Sequence, residues 1–241
     1  MDLAETSTGA SFCVRAYGPA DRAAIRRICA DTGFLGKPID PVFEDRELFA
    51  DYLTRYYTDR EPESALVLEV DGTVKGYILG SRFPDRQKRF HARHNLVLGL
   101  RGLWRGLTRP YGAATWQYVR WVIKNGKKET PHTPSGMPHF HINLLPEARN
   151  VPQTHALFQA CMDYFAGCGE THVYGQMVTF GTRRGERMFN RYGFEVVDKV
   201  EVTKYREVYD GPVFLFTVVK DLKKNPQLYG ADLHPKSTHD L

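Results

Sequence analysis

Hydrophobic and polar positions change period along this chain in a readable order. Ser11–Ala16 alternates as a short strand, and Tyr17-Gly18-Pro19 turns it. Asp21 starts a helix with Ile25, Ile28 and Cys29 on its buried face, and Gly33 ends it. A loop rich in Gly and Pro, residues 33–42, leads to a helix over Glu44–Arg60. Its predicted inner side carries Leu48, Phe49, Tyr52 and Tyr56. Ala65–Val70 and Thr73–Ser81 read as a hairpin around Asp71-Gly72. Further on, His139–Leu145 alternates Phe140, Ile142 and Leu144 against His139, His141 and Asn143. Pro146 ends that strand, and Pro152 can open the helix bearing Leu157, Ala160, Cys161 and Tyr164. A strand over Glu170–Phe180, a helix over Gly181–Arg191 and strands over Phe194–Tyr205 and Pro212–Leu222 complete the pattern. Lys223 to Leu241 is polar and without period, and is predicted to be a mobile tail.

One block breaks the pattern. Arg82–Lys128 holds twelve Lys/Arg against one Asp, a net +11 in a chain of net +5, so the remainder carries −6. All three tryptophans, Trp104, Trp116 and Trp121, lie in it. Two short helices are predicted. In Asn95–Leu107, the residues Leu96, Leu100, Leu103 and Leu107 form a stripe, with Arg101 and Arg105 opposite and Gly99, Gly102 and Gly106 on a third face. Three glycines on one face suggest a second backbone packed close. In Ala113–Lys124, Trp116, Val119 and Ile123 form the stripe. Three readings compete: a helical cap with a solvated basic face, a surface for an anionic membrane or acidic partner, and a nucleic-acid surface. Nucleic acid ranks last, because no nucleic-acid-binding motif accompanies the charge.

Composition narrows the class. The 241 residues are 42% hydrophobic and 25% charged, which suits a globular chain with a real core. No apolar run approaches the roughly 18 residues that span a bilayer. The first ten residues show neither a basic nor an apolar leader segment, so a cytoplasmic protein, peripheral to a membrane at most, is the expectation. Cys13, Cys29, Cys161 and Cys168 form no CxxC pair; they read as free thiols rather than metal ligands, and no metal is expected.

Two stretches carry a family resemblance. Pro138–Ala156, PHFHINLLPEARNVPQTHA, reads as strand, turn and helix start, a junction whose N–H groups can face an anion. It resembles the acetyl-CoA-binding segment of the GNAT N-acetyltransferase superfamily, where an Arg/Gln-x-x-Gly-x-Gly/Ala loop follows the central strand. Arg149 matches; Pro152 and Thr154 stand where Gly and Gly/Ala are usual. MFNRYGFEVV is similar to the segment that ends the next helix in that family. Aligned on Gly193-Phe194, Thr182 takes the place of an Asn, and Phe189 that of the Tyr general acid. Tyr192, one turn further, is then the substitute acid.

The resemblance implies an α/β fold with a mixed, mostly antiparallel sheet flanked by helices. It covers one domain over residues 11–222, with the basic block 82–135 inserted. It implies acetyl-CoA as co-substrate, held by Leu144, Leu145, Arg149, Asn150, Val151, Gln153, Thr154, Thr182 and Phe189. The loop after the first helix would line the acceptor through Phe34, Lys37 and Asp40. The acceptor class is an amine, a small molecule or on a sugar in the first place, with a peptide N-terminus and a lysine side chain also open. His141 is the best-placed base, with His139 and Glu147 behind it. A homodimer is compatible with all of this. The rival function is a binding module of the same fold, its cofactor loop decayed, in which the basic block carries the activity.

Overall fold

The strands gather into one sheet and the helices pack on its two faces. The computed structural model describes residues 4–5, 11–109, 111–181 and 185–224. The strands are β1 (Ala4–Glu5), β2 (Ser11–Ala16), β3 (Ala65–Val70), β4 (Thr73–Ser81), β5 (His139–Leu144), β6 (His172–Phe180), β7 (Phe194–Glu201) and β8 (Val213–Asp221). The helices are α1 (Arg22–Asp31), α2 (Arg46–Arg60), α3 (Pro84–Thr108), α4 (Ala113–Asn125), α5 (Val151–Gly167) and α6 (Glu186–Arg191). One sheet runs in the order β1-β2-β3-β4-β5-β6-β8-β7, antiparallel everywhere except between β5 and β6. This is the mixed, mostly antiparallel α/β architecture expected.

Local chemistry sets the ends of these elements. Asp71 and Gly72 both have positive φ, +47° and +71°, the two-residue turn that suits the right-handed twist of β3 and β4. The Asp45 side chain accepts from the Leu48 N–H at 2.9 Å and caps α2, so that helix begins at Arg46 rather than Glu44. The alternating strand residues divide into two cores. Phe140, Leu144, Ile78 and Val173 pack with Leu157, Cys161 and Phe165 of α5 on one face. Tyr77, Leu79 and Val67 pack with Ile25 and Ile28 of α1 and Phe49, Tyr56 and Tyr57 of α2 on the other.

The inserted block departs most from expectation. Helix α3 starts at Pro84, eleven residues before the predicted Asn95. Residues 86–94 lack an apolar stripe because their inner side is polar and aromatic. Phe90 stacks with Tyr56, and Gln87 donates to the Tyr57 hydroxyl at 2.9 Å. Further along, Arg101 and Arg105 face inward and pair with Asp51 and Asp45 of α2 and its cap. The leucine stripe therefore points outward. Tyr52, placed on the inner side of α2 from spacing alone, is half exposed beside His91. The close second backbone expected at the three glycines is not there: a Cβ at Gly102 would meet the Leu48 side chain, one at Gly106 the Trp116 ring, and one at Gly99 nothing.

Candidate active site

The central feature is a parting of strands. β5 and β6 pair at only two positions, His139 with Tyr174 and Phe140 with Gly175. Beyond these, β5 stays with β4 to Leu144, and β6 stays with β8 to Phe180. The Tyr174 N–H donates to Pro138 O, and the Leu145 N–H to Lys75 O, both at 2.9 Å. Alternation along β5 then turns the backbone groups of Ile142 and Leu144 toward the gap, where no strand of the described residues lies opposite. Buried backbone groups require partners, so the gap is an edge ready to pair with an added chain of amides.

The loop after β5 closes one end of the gap. Arg149 Nε donates to Leu144 O at 2.8 Å, and its Nη2 donates to Gly36 O at 2.7 Å. That one side chain ties the strand end to the turn between α1 and α2. Asn150 caps α5 by accepting from the Gln153 N–H at 3.0 Å. The Thr154 N–H closes the first helical turn on Asn150 O. Pro152 has no N–H to give. Gln153 is 4% exposed, and its buried Oε1 has no partner, leaving a spare polar atom at the helix start.

Histidines of β5 line the other face. His141 Nε2 lies 3.3 Å from the Tyr77 hydroxyl and 3.3 Å from Asn143 Nδ2, and Asn143 donates to Tyr77 at 2.8 Å. The atoms around the half-buried ring desolvate it and push its pKa down to about 4. His139 is buried, with Nε2 2.9 Å from the Tyr57 hydroxyl and 3.0 Å from Gln87 Nε2. Burial pushes it to about 4 as well. Both histidines are neutral at pH 7, their pKa well below the ordinary histidine value near 6.5.

No family model matches the sequence, and no curated protein matches it. Solved structures do match. SsHAT is 22% identical, with 87% of this chain and 98% of that chain covered and a TM-score of 0.56. The yncA protein of Salmonella typhimurium, solved with its cofactor acetyl-CoA, is 15% identical over 90% of this chain and 97% of its own, with a TM-score of 0.51. An N-acetyltransferase of Staphylococcus aureus Mu50 gives 14%, 88%, 98% and 0.50 in the same order. This chain has the GNAT fold. At these identities the likeness is one of architecture, and the chemistry has to be argued from the residues.

Within the GNAT fold the candidate residues separate. Leu144, Arg149, Asn150, Val151, Gln153 and Thr154 lie together at the strand end and helix start. Leu145 is adjacent, but its N–H is already used by Lys75 O. Phe34 is buried against the Tyr205 ring, 5.4 Å between centroids, so it is a core residue rather than an open lining group. Asp40 accepts from Arg46 at 2.6 Å. Lys37 is exposed, and the turn before it holds Leu35 and Gly36 at φ +49° and +82°. A leucine at positive φ is strained, and Gly36 is the residue that accepts from Arg149. Glu147 sits with Lys75 at 3.1 Å. Phe189 is buried, its ring 5.5 Å from Phe216, and packs rather than facing a ligand. Tyr192 ends α6, half-buried with its ring 6.3 Å from Phe158. Thr182 lies outside the described residues. Tyr77, Tyr57 and Gln87 were not singled out from sequence. Their signal, a polar tip on an otherwise apolar face, has meaning only once β5 is placed beside them. Among the described residues no group of His, Cys, Asp or Glu could hold a metal ion.

Proposed function

We propose that this chain is an acetyl-CoA-dependent N-acetyltransferase acting on an amine, small or carried on a sugar. The observation that carries the reading is the parting of β5 and β6 immediately before a capped helix start. When bound, acetyl-CoA supplies a thioester carbonyl that an amine can attack directly. The chain's own residues then have distinct tasks. The N–H and C=O groups of Ile142 and the N–H of Leu144 would hydrogen-bond the amide-bearing part of the cofactor, as an edge strand pairs with an added one. Arg149 and the α5 start, with Asn150, Val151, Gln153 and Thr154, face its anionic end.

The turn carrying Gly36, Lys37 and Asp40, fastened by Arg149, borders the acceptor. His141, neutral at pH 7, accepts a hydrogen bond from the acceptor amine and orients it. The amine loses its proton to solvent, not to a group titrating near 6.5. Tyr192 is the hydroxyl that the end of α6 offers to the leaving thiolate. If so, activity rises with pH along the acceptor's own titration, without an inflection between pH 6 and 7. Removing Tyr192's hydroxyl by Tyr192→Phe would lower kcat by about 10²-fold or more, the range of general acid catalysis.

Calorimetric titration with acetyl-CoA, against desulfo-CoA and ATP as controls, tests the reading. Saturable, near-stoichiometric binding is expected. Absence of binding up to millimolar cofactor would overturn it. That result would favour the second reading, a GNAT-fold binding module, which three features support: Pro152 in the loop, the self-capping of Asn150 on Gln153, and Phe189 packed in the core.

A further inference from the structure

The outward faces of α3 and α4 differ from the rest of the surface. Steps of three and four residues put Arg86, Arg89 and Arg93 on one line along α3, and Leu96, Leu100, Leu103 and Leu107 on its continuation. All seven are exposed. Leu107 is 79% exposed and Trp104, beside the line, 64%. Helix α4 meets the C-terminal end of α3, with the Trp116 ring against Gly106. Its outward line runs Trp116, Arg120, Ile123, and Ile123 is also 79% exposed. A soluble helix normally turns its leucines to the core. Here the core side is taken by Gln87, Phe90, His94, Leu98, Arg101 and Arg105.

Charge decides what covers this face. Of the twelve Lys/Arg in Arg82–Lys128, Arg82, Arg101 and Arg105 pair with carboxylates; the other nine have no carboxylate partner among the described residues. At the N-terminal end of α3 a hollow of about 450 Å³ is lined by Arg82, Phe83, Asp85, Arg86 and Arg89, three cations to one carboxylate. A second copy laid face to face would bring like charges together. Anionic headgroups would neutralise them while the leucines and tryptophans enter the acyl boundary. The remainder of the chain carries −6, so the cationic charge is concentrated in this block. A helix of 25 residues is about 38 Å long, ample for lying in the interface. No helix among the described residues is long and apolar enough to cross the bilayer.

We propose that the α3–α4 face docks the protein on an anionic lipid bilayer, with its apolar half inserted and its arginines among the headgroups. This stands apart from the acetyl-CoA reading: neither outcome of one decides the other. The test uses the full chain with phosphatidylcholine vesicles, with and without about 30% phosphatidylglycerol, at about 50 and about 500 mM NaCl. Co-sedimentation is expected with the anionic vesicles alone, weakened about tenfold or more by the higher salt. Because all three tryptophans lie in this block, their emission should shift to the blue on binding. The double variant Leu103→Glu/Leu107→Glu should abolish both effects with an unchanged thermal melt, since both side chains are exposed. No binding to anionic vesicles at low salt would overturn the proposal. So would binding that leaves tryptophan emission unmoved and survives the double variant. A dimer in sedimentation velocity that the same variant dissolves would assign the face to a second copy instead.

Discussion

Phe140 and Gly175 meet at the last paired position before β5 and β6 part. A Cβ on Gly175 would fall 2.5 Å from Phe140 Cζ, and Phe140 is a core residue with no room to yield. Gly175→Ala should destabilise by about 1–3 kcal/mol in urea unfolding, the usual cost of overpacking. If the gap holds acetyl-CoA, the same substitution should also weaken that binding. His139 makes a pH prediction. Its folded value of about 4 lies below the ~6.5 of an unfolded histidine, so protonation favours the unfolded chain. Stability is full above pH 6.5 and falls as pH goes down toward 4, by up to about 1.4 kcal/mol per pH unit from this residue. His141, with the same direction, adds to the slope. Urea midpoints at pH 7, 6 and 5 measure it, and His139→Gln should remove His139's share.

At the scale of elements, α3 is held by charge against α2. Burial raises the Asp45 carboxyl, but hydrogen bonds from Tyr111, Arg105 and the Leu48 N–H outweigh it and hold it below the ordinary carboxylate value. Arg105 Nη1 lies 2.7 Å from Asp45 Oδ2, as does the Tyr111 hydroxyl. Arg105→Ala leaves a buried carboxylate with fewer partners. It should lower stability by about 1–3 kcal/mol, less than for a fully orphaned charge because Tyr111 and Leu48 remain. A double-mutant cycle with Asp45→Asn reads the coupling directly. The arginines opposite the leucine stripe were visible in the sequence; that they face inward was not. Periodicity shows that a helix has two sides, and only the neighbour decides which is buried. Asp45 and Asp51, buried on α2 and its cap, are that neighbour, 60 and 50 residues from their arginines along the chain.

Across the whole molecule the basic α3–α4 block is part of the fold's electrostatics. Its net +11 sits against a remainder of −6, and two of the arginines meet buried carboxylates. Replacing residues 84–135 with a short Gly/Ser linker should therefore lower the melting temperature. Adding Asp45→Asn and Asp51→Asn should recover part of the loss, because neutral side chains tolerate burial better than unpaired charges. If the block were only an appendage, the deletion alone would leave the melt unchanged. The turn at Leu35-Gly36 and the loop at Arg149 come from opposite halves of the chain and close one end of the strand gap. The site is thus a property of the assembled sheet.

Much was legible from local signals. The hairpin at Asp71-Gly72, the β5 alternation and the α5 start rest on turn geometry, pleat and helix capping, which act within a few residues. The Arg149 frame that places the candidate loop came from the family resemblance. Other features depended on which segments become neighbours. The depressed pKa of His139 follows from burial against Tyr57 of α2 and Gln87 of α3. The burial of Phe34 and Phe189 follows from Tyr205 and Phe216 arriving opposite them. The outward leucines follow from acidic partners on α2. Desolvation and pairing are set by distance in space, and spacing along a chain does not contain that distance.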